Sequence, residues 1–332
     1  MREERKLSEQ YINILKIENL RTYFYTYEGV VKALDGINLE VQKGDFIGVV
    51  GETGCGKSVT ALSIMRLIER PGKIISGDIY FKDENLLKKS EKEMKRIRGS
   101  EISMIFQDAR ASLNPVFTIK QQISQILHNK EKLRGKKLEE RLFEMLNLVS
   151  LPNPRDILER YPHELSGGMC QRVMIAMALS CSPSLLIADE PTTALDVTIE
   201  AQILNLIKEM KRKIGISMIL ITHNLNIVAE TCSTMAVMYA GHIIERGTVS
   251  EIFNHPRHPY TTLLLKSAPK IESKQEKLSV ISGSVPNLIN PPSGCRFHPR
   301  CPQKMDICSQ KIPDDVLIST THIVGCFLYG GI

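Results

Sequence analysis

The sequence contains no tryptophan, and aromatic residues make up only 5% of the chain. This scarcity disfavours proteins that bind single-stranded nucleic acid by stacking bases on aromatic side chains. No apolar run approaches the ~18 residues that a membrane-spanning helix requires, and the first ten residues lack the apolar core of a signal peptide. The net charge of +6 is modest, so charge alone does not indicate a nucleic-acid partner. These absences favour a soluble, cytosolic protein.

The 332 residues suffice for one large domain, or for one large domain with a small appendage. Hydrophobic residues make up 42% and charged residues 24%, which is the composition of an ordinary globular protein. Four of the eight cysteines crowd near the end of the sequence: Cys295, Cys301, Cys308 and Cys326. In a cytosolic chain such a cluster favours a metal site over a set of disulfide bonds.

Short apolar runs alternate with helical patterns along the chain. Strands are predicted at residues 12–17, 37–41, 46–50, 78–81, 102–106, 185–188, 216–221, 235–239 and 242–245. Helices are predicted at residues 56–69, 119–128, 138–149, 169–178, 199–213 and 225–230. Several strands are apolar throughout, as in a parallel sheet that helices cover on both faces. The alternation predicts a doubly wound α/β core.

Three segments depart from this pattern. The charged stretches 82–98 and 130–141 are predicted to be solvated faces or loops. After about Lys270 the composition shifts towards Ser, Pro, Gly and Cys. That shift predicts a linker followed by a small appended unit.

A glycine-rich segment, GETGCGKS at residues 51–58, follows one apolar strand and precedes a predicted helix. It fits the Walker A pattern GxxxxGK[ST], and the strand–loop–helix context supports the match. The glycines let backbone N–H groups curl around phosphate oxygens, and the helix N-terminus adds partial positive charge. Lys57 is predicted to bridge the outer phosphates of a nucleotide, and Ser58 to ligate Mg²⁺.

Four apolar residues at 185–188 lead directly into Asp189 and Glu190. A buried strand would deliver both carboxylates to the carboxyl edge of the sheet, where open α/β sheets bind their ligands. We expect Asp189 to hold Mg²⁺ through water, and Glu190 to polarise the attacking water as a general base.

Ser166, Gly167 and Gly168 precede a second helical pattern. A hydroxyl, exposed N–H groups and a helix dipole at one point predict a second phosphate-binding site. Two such sites on one chain suggest a head-to-tail dimer, in which the second site of each chain closes on the nucleotide of the other.

Together these motifs resemble those of nucleotide-binding subunits of ABC transporters over about residues 12–250. Gln107 resembles the Q-loop glutamine of that family, residues 194–196 its D-loop, and His223 the switch histidine that contacts the γ-phosphate. The resemblance implies a RecA-like doubly wound P-loop ATPase core with a helical subdomain at about residues 111–180. It implies Glu190, His223 and Gln107 as catalytic residues, and Ser58, Gln107 and Asp189 as the Mg²⁺ site.

The same resemblance implies a set of ATP-binding residues. They are Tyr25, Gly51, Glu52, Thr53, Gly54, Cys55, Gly56, Lys57, Ser58, Val59, Ser166, Gly167 and Gly168. Phe24 and Tyr27 are alternatives to Tyr25 as the ring that stacks on adenine, and at least two of the three must have ordinary packing or surface roles.

Three residues depart from the usual family pattern: Cys55, Cys170 and Asn224. None replaces a phosphate or Mg²⁺ ligand, so we infer no loss of activity. Cys55 could make nucleotide binding sensitive to oxidation, but a packing role for this small side chain is the favoured interpretation.

The segment HPRHPYT at residues 255–261 and the cysteine-rich end resemble the oligopeptide, dipeptide and nickel importer branch of the family. We therefore divide the chain into an ATP-binding domain, 1–270, and a cysteine-rich extension, 271–332. The four clustered cysteines fit neither the usual zinc nor the usual iron–sulfur spacing. The resemblance favours a [4Fe–4S] cluster, with Zn²⁺ or no metal as alternatives.

The resemblance finally implies a working assembly. Two such subunits, identical or paralogous, would drive two transmembrane permease subunits from the cytoplasmic face of the membrane. An extracytoplasmic solute-binding protein would deliver a peptide, and no nucleic acid would take part. The alternatives are a nickel importer ATPase of the same branch, a soluble ABC ATPase that acts on DNA or ribosomes, and a regulatory protein without turnover.

Overall fold

The computed structural model describes residues 13–193, 197–267 and 281–330. Within that part of the chain, the strands are β1 (Asn13–Thr26), β2 (Gly29–Gln42), β3 (Phe46–Val50), β4 (Gly72–Phe81), β5 (Glu84–Asn85), β6 (Ile102–Ile105), β7 (Leu185–Asp189), β8 (Ser217–Ile221), β9 (Thr234–Tyr239), β10 (His242–Thr248), β11 (Asp315–Leu317) and β12 (Ile323–Gly325). The predicted residue Ile12 and the segment 194–196 lie outside the described residues.

The α-helices of the described residues follow the same chain order. They are α1 (Lys57–Ile64), α2 (Glu91–Ile97), α3 (Ala109–Ser112), α4 (Ile119–Glu131), α5 (Gly135–Leu148), α6 (Pro154–Glu159), α7 (Gly167–Leu179), α8 (Val197–Ile214), α9 (Leu225–Thr231), α10 (Val249–Asn254) and α11 (Pro259–Ser267). The prediction of a mixed α/β core is confirmed. Two compact units divide the chain: unit 1 holds the residues up to Lys88 and from Leu220 onwards, and unit 2 holds Lys89–Ile219.

Unit 1 contains two sheets. One is antiparallel, with the strand order β2-β1-β4-β5, and its long strands bury Leu15 and Ile17 on one face. In the other, β3 pairs in parallel with β9, and β9, β10, β12 and β11 continue in antiparallel pairs. Every residue of β3 is buried, which explains its unbroken apolar sequence.

Unit 2 begins with a helix in a stretch that the sequence analysis assigned to loops or solvated faces. Ser90 and Glu93 form a capping box at the start of α2, and Met94 of this helix is fully buried. Helix α5 likewise begins inside the second charged stretch. The loop alternative is therefore wrong for both helices, whereas their mostly exposed charged residues agree with the solvated-face alternative. One-sided burial suffices to form a helix in a highly charged sequence, and α2 has a capping box in addition.

The remaining part of unit 2 is helical around a parallel strand pair. Strand β6 pairs with β7, where Ile102 lies opposite Leu185, and Ser217 N, at the start of β8, donates to Ser184 O at 3.1 Å. Helices α4 to α7 fall within or close to the predicted helical subdomain of 111–180. The predicted domain boundaries remain a prediction.

The end of the chain packs on the core of unit 1. Phe297 lies with its ring centroid 5.1 Å from that of Tyr239 and 5.4 Å from that of Tyr260, and all three rings are buried. The hairpin β11–β12, which the sequence analysis missed, adds to the sheet through β10. The appended segment therefore shares the hydrophobic core of unit 1.

Candidate active site

In unit 1, strand β3 leads into the glycine-rich loop and α1 follows it, as the sequence predicted. Gly51 has φ 154° and Gly56 has φ 109°. A Cβ atom on Gly51 would lie 2.2 Å from Met238 O, and one on Gly56 would lie 2.7 Å from Ala33 O. Only glycine fits at these two positions, because any side chain would collide with backbone.

The outer side of this loop is open. Thr53 and Gly54 are exposed, and a Cβ atom on Gly54 would meet no atom within 4 Å. The Lys57 side chain, at 6% exposure, folds over the loop, where Nζ donates to Gly51 O at 2.7 Å and to Glu52 O at 3.1 Å. Backbone amides, an ammonium group and the first turn of α1, with Ser58 and Val59, thus lie in one short segment, and they are the groups that a phosphate chain requires.

Cys55 is fully buried beneath the loop. Burial raises the pKa of its thiol, so the thiol is protonated at neutral pH. Its backbone is held as well, because Gly241 N donates to Cys55 O at 2.8 Å. The packing role is the one this environment supports, since reactive cysteines are exposed and have a lowered pKa.

The three candidate aromatic residues for adenine differ in environment. The Phe24 ring is half-buried and occupies the space beside Gly72. Tyr25 is 47% exposed with Lys73 Nζ 5.9 Å from its ring centroid, and Tyr27 is exposed. Packing therefore accounts for Phe24, while an open ring face is available on Tyr25.

His223 follows β8, and its side chain is exposed. The preceding residue, Thr222, donates its N–H to Val49 O of β3 at 3.3 Å, so His223 lies at the strand end next to the glycine-rich loop. Asn224 caps α9, accepting at Oδ1 the N–H of Asn226 at 3.1 Å. Because asparagine and aspartate cap helices equally well, this departure from the family pattern keeps the local fold.

In unit 2, the two acidic residues lie at the end of β7 as predicted. The Asp189 side chain is buried, and Glu190 adopts a left-handed backbone with φ 47°. Gln107 Nε2 donates to Glu190 Oε2 at 3.0 Å, and Thr193 Oγ1 donates to the same oxygen at 2.7 Å. The structure thus brings Gln107 and Glu190 together and adds Thr193, which the sequence analysis did not identify.

The second predicted phosphate site begins α7. Ser166 is the N-cap residue, and its hydroxyl accepts the N–H of Met169 at 3.3 Å. A Cβ atom on Gly167 would meet nothing within 4 Å, whereas one on Gly168 would lie 2.8 Å from Ile199 Cγ2. Gly167 therefore leaves the helix start open, and Gly168 allows α8 to approach. Cys170 packs inside, with Sγ donating to Pro162 O at 3.5 Å.

The four clustered cysteines line a single cavity in unit 1, together with apolar side chains such as Phe297 and Phe327. Cys308 Sγ accepts the backbone N–H of Met305 at 3.5 Å. The backbone at Phe297, Gln303 and Leu328 acts to lower the pKa of the thiols of Cys295, Cys301 and Cys326, respectively, against the raising effect of burial. Backbone N–H groups beside a sulfur atom favour a thiolate over a thiol and also occur around sulfur atoms that bind a metal group.

The thiols are not drawn together as a closed coordination shell. Burial, aided by the neighbouring sulfur atoms, raises the pKa of Cys295 to about 11. Among the described residues, no group of three or more His, Cys, Asp or Glu side chains is arranged to hold a metal ion. Four cysteines are the ligand types that a group bound by four thiolates requires. Their sulfur atoms, however, are not positioned as a coordination shell.

Two family models match the chain. The model described as ABC transporter matches residues 34–193, and the model described as oligopeptide/dipeptide transporter, C-terminal region, matches residues 244–308. The dipeptide transport ATP-binding protein DppD of Bacillus subtilis is 48% identical over 95% of this chain and 94% of its own length. The oligopeptide transport ATP-binding protein AppD of the same organism is 47% identical over 95% of this chain and 97% of its own length.

Solved structures agree at the level of the fold. The ATP-binding cassette MJ0796, in a dimeric post-hydrolysis state with bound ADP and Pi, matches with a TM-score of 0.64 at 26% identity. It covers 71% of this chain and 98% of its own. CbiO1 of Clostridium perfringens, part of the ABC transporter complex cbiONQ, gives a TM-score of 0.63 at 31% identity over 73% of this chain and 91% of its own. No helix of the described residues is long and apolar enough to cross a membrane.

Proposed function

Because this chain belongs to the ABC transporter family, among the ATP-binding proteins of dipeptide and oligopeptide transport, we propose that it is the ATP-hydrolysing motor of a peptide importer. The observation that supports ATP hydrolysis is the contact of Gln107 Nε2 with Glu190 Oε2, because it holds a carboxylate in place at the end of a buried strand. The observation that supports a role in peptide transport is the match to the family models of both the cassette and the C-terminal region.

The proposed nucleotide site assigns a role to each predicted residue. The amides of the loop 51–58 and the Lys57 ammonium bind the β- and γ-phosphates. His223, at the neighbouring strand end in unit 1, contacts the γ-phosphate, and Tyr25 stacks on adenine. The open space beside Gly54 and the exposed ring of Tyr25 support this assignment.

Glu190 is the proposed general base, which orients a water molecule and takes its proton as the water attacks the γ-phosphate. Ser58, Asp189 and Gln107 would hold Mg²⁺, and their hydroxyl, carboxylate and amide oxygens are ligands that this hard cation accepts. When bound, Mg²⁺ neutralises charge on the outer phosphates. The hydrogen bonds from Gln107 and Thr193 orient the Glu190 carboxylate for its task.

We further propose that two subunits sandwich two nucleotides. Ser166, Gly167 and Gly168 of each chain would close on the γ-phosphate bound by the loop of the other. The open start of α7 supports this role. ATP favours the closed pair because only the closed state contacts it from both sides, and hydrolysis removes that preference. The second subunit is either a copy of this chain or a paralogue.

The closing pair would act on two transmembrane permease subunits from the cytoplasmic face of the membrane, to which this chain binds peripherally. A solute-binding protein outside would deliver the peptide. The named relatives favour a peptide over nickel as the solute. They also favour a transport subunit over a soluble ATPase that acts on DNA or ribosomes.

The proposal for the cysteine-lined cavity is a [4Fe–4S] cluster bound by Cys295, Cys301, Cys308 and Cys326, with Zn²⁺ as the alternative. Four thiols around one cavity, with the backbone N–H of Met305 donating to Cys308 Sγ, support it. Such a group would tie the loops of the extension together as a structural element.

The test is to capture the assembly. Tagged Glu190→Gln protein is expressed in its native cell, ATP is added, the membranes are solubilised gently, and bound proteins are identified by mass spectrometry. We expect two multispanning permeases, with or without a paralogous ATPase, because loss of the base holds the pair closed. Tagged Lys57→Ala is the matched control, and it should not retain the closed pair. Recovery of ribosomal or DNA-associated proteins without permeases would contradict the transport function.

A further inference from the structure

Glu52, the second residue of the phosphate-binding loop, forms an ion pair with Arg300, which lies far from it in the sequence. Arg300 Nη1 donates to Glu52 Oε2 at 2.7 Å, and Nη2 donates to Oε1 at 3.1 Å, which is a two-point ion pair across 248 residues of sequence. In addition, Glu52 N donates to the Tyr260 hydroxyl at 2.9 Å. Both the side chain and the backbone of this loop residue are therefore fixed by residues beyond the cassette core.

Arg300 is itself rigidly placed. Its side chain is 6% exposed, and all five of its N–H groups have acceptors. Besides the Glu52 carboxylate, these are Ser282 O for Nε, the Tyr239 hydroxyl for Nη1 and Ile281 O for Nη2. A guanidinium held in this way resists displacement, because each lost bond would leave a buried donor without an acceptor.

Glu52 is also hydrogen-bonded to Lys57, the lysine proposed to bind the nucleotide phosphates. The carbonyl oxygen of Glu52 accepts a hydrogen bond from Lys57 Nζ at 3.1 Å. A shift of Glu52 therefore moves both the loop amides and the ammonium that would bind phosphate. The Glu52 carboxylate is also a negative charge beside a site for a polyanion, and the guanidinium neutralises it.

Resting on the proposed function, we propose that the C-terminal segment positions the phosphate-binding loop for nucleotide, with Arg300 and Tyr260 as positioning residues that act through Glu52. Arg300 directly precedes Cys301, one of the four cysteines around the thiol cavity. The order of the cysteine-rich segment is thus coupled to the affinity of the loop for ATP.

The test measures binding of a fluorescent N-methylanthraniloyl ATP to the full-length chain in the Glu190→Gln background, where the probe is not consumed. We expect Arg300→Met to raise Kd about tenfold, since a charge-assisted pair is lost and a carboxylate is left facing the phosphates. Adding Glu52→Gln to Arg300→Met removes that carboxylate and should lower Kd again, to within about threefold of the parent. A residue that served the fold alone would not give this rescue.

Arg296→Met is the matched control. Arg296 belongs to the same segment and is equally buried, but it donates to Asp35, Ala240 O and Lys32 O and makes no direct hydrogen bond with the loop, which it reaches only through the peptide group between Ala240 and Gly241. We expect its Kd to stay within about twofold of the parent. An equal loss of affinity in Arg296→Met and Arg300→Met would overturn the proposal, as would a double variant that binds no better than Arg300→Met.

Tyr260→Phe decides the question if Arg300→Met does not fold, as judged by thermal unfolding of every variant. It keeps the buried ring and removes only the hydroxyl that accepts from Glu52 N, so we expect Kd to rise about threefold. An unchanged Kd in Tyr260→Phe would then overturn the positioning role. Failure of the proposed function looks different, because the parent itself would bind no probe or would bind it as well after Lys57→Ala.

Discussion

Gln107 Nε2 donates a hydrogen bond to Glu190 Oε2 at 3.0 Å, and the same oxygen accepts the hydroxyl of Thr193 at 2.7 Å. The two donors come from separate segments, one after β6 and one after β7. Together they fix the orientation of a carboxylate whose residue has a left-handed backbone. An oriented carboxylate at a strand end is the arrangement that general-base hydrolysis needs.

The first prediction concerns this contact. Thr193→Val keeps the shape of the side chain and removes one donor to the carboxylate, so we expect phosphate release to slow severalfold while the affinity for ATP is unchanged. Glu190→Gln removes the base itself and should slow release by about 10²–10⁴. Phosphate release and ATP binding are measured side by side. Equal rates in Thr193→Val and wild type would remove Thr193 from the site.

The second prediction concerns Lys57. Its ammonium already lies over the loop, on the carbonyl oxygens of Gly51 and Glu52. Lys57→Ala should abolish nucleotide binding, because the loop loses the charge that meets the outer phosphates. Exposed Lys43, which precedes β3, provides the control: Lys43→Ala should bind ATP as wild type does. Titration with ATP in a calorimeter separates the two variants, and binding by Lys57→Ala would refute the phosphate-loop assignment.

The third prediction concerns the cysteine-lined cavity. Protein purified without oxygen should be coloured and contain iron and acid-labile sulfide, and Cys295→Ser should lose both. Cys232→Ser changes a half-buried thiol outside the cavity and should keep them. Elemental analysis for iron and zinc distinguishes the cluster from Zn²⁺. Well-folded wild-type protein without either metal would contradict the proposal.

The fourth prediction concerns His258, which is completely buried and has a pKa lowered to about 3 by that burial. At pH values between about 6.5 and 3 the unfolded chain binds a proton here that the folded chain does not. The contribution of His258 to the stability of the folded chain is therefore at its full value above pH 6.5. It decreases as the pH falls, by up to about 1.4 kcal/mol per pH unit.

His258→Asn removes the group that binds a proton in the unfolded chain only. An asparagine oxygen can still accept the N–H of Tyr260, which Nδ1 of His258 now accepts at 3.0 Å. We expect the free energy of unfolding by urea to fall less steeply between pH 6 and pH 4 in the variant than in wild type. Identical slopes would show that His258 is protonated in the folded chain.

Local sequence was sufficient to predict the strands that lead into the glycine-rich loop and into Asp189. Strand β3 is buried at every residue, and its apolar sequence shows this without reference to the rest of the chain. The same holds for the apolar run that ends in Asp189. Element ends were harder to place: β1 continues to Thr26, nine residues past its predicted end at residue 17, because pairing with β2 and β4 compensates for its polar residues. Tertiary pairing of this kind leaves no periodic signal in one strand.

Contacts between distant segments could not be predicted. Glu245 was placed at the end of a predicted strand, yet it is buried and bound by His322 Nε2 at 2.7 Å and by the N–H groups of Arg257 and His258. The ion pair of Glu52 with Arg300 is equally invisible in the sequence. Nothing in either local pattern identifies the partner, because the fold alone determines which segments meet.

Strand β3 finds its parallel partner β9 only after the whole of unit 2 has been synthesised, and Glu52 meets Arg300 later still. At typical rates of about 5–20 residues per second, a ribosome needs roughly 10–50 s to travel the 248 residues from Glu52 to Arg300. Strand β9 is missing until Tyr239 has been made, and the ion pair that holds the Glu52 carboxylate is missing until Arg300 has been made. On the positioning role proposed for Arg300, nucleotide affinity would therefore depend on a residue that is synthesised long after the phosphate loop itself.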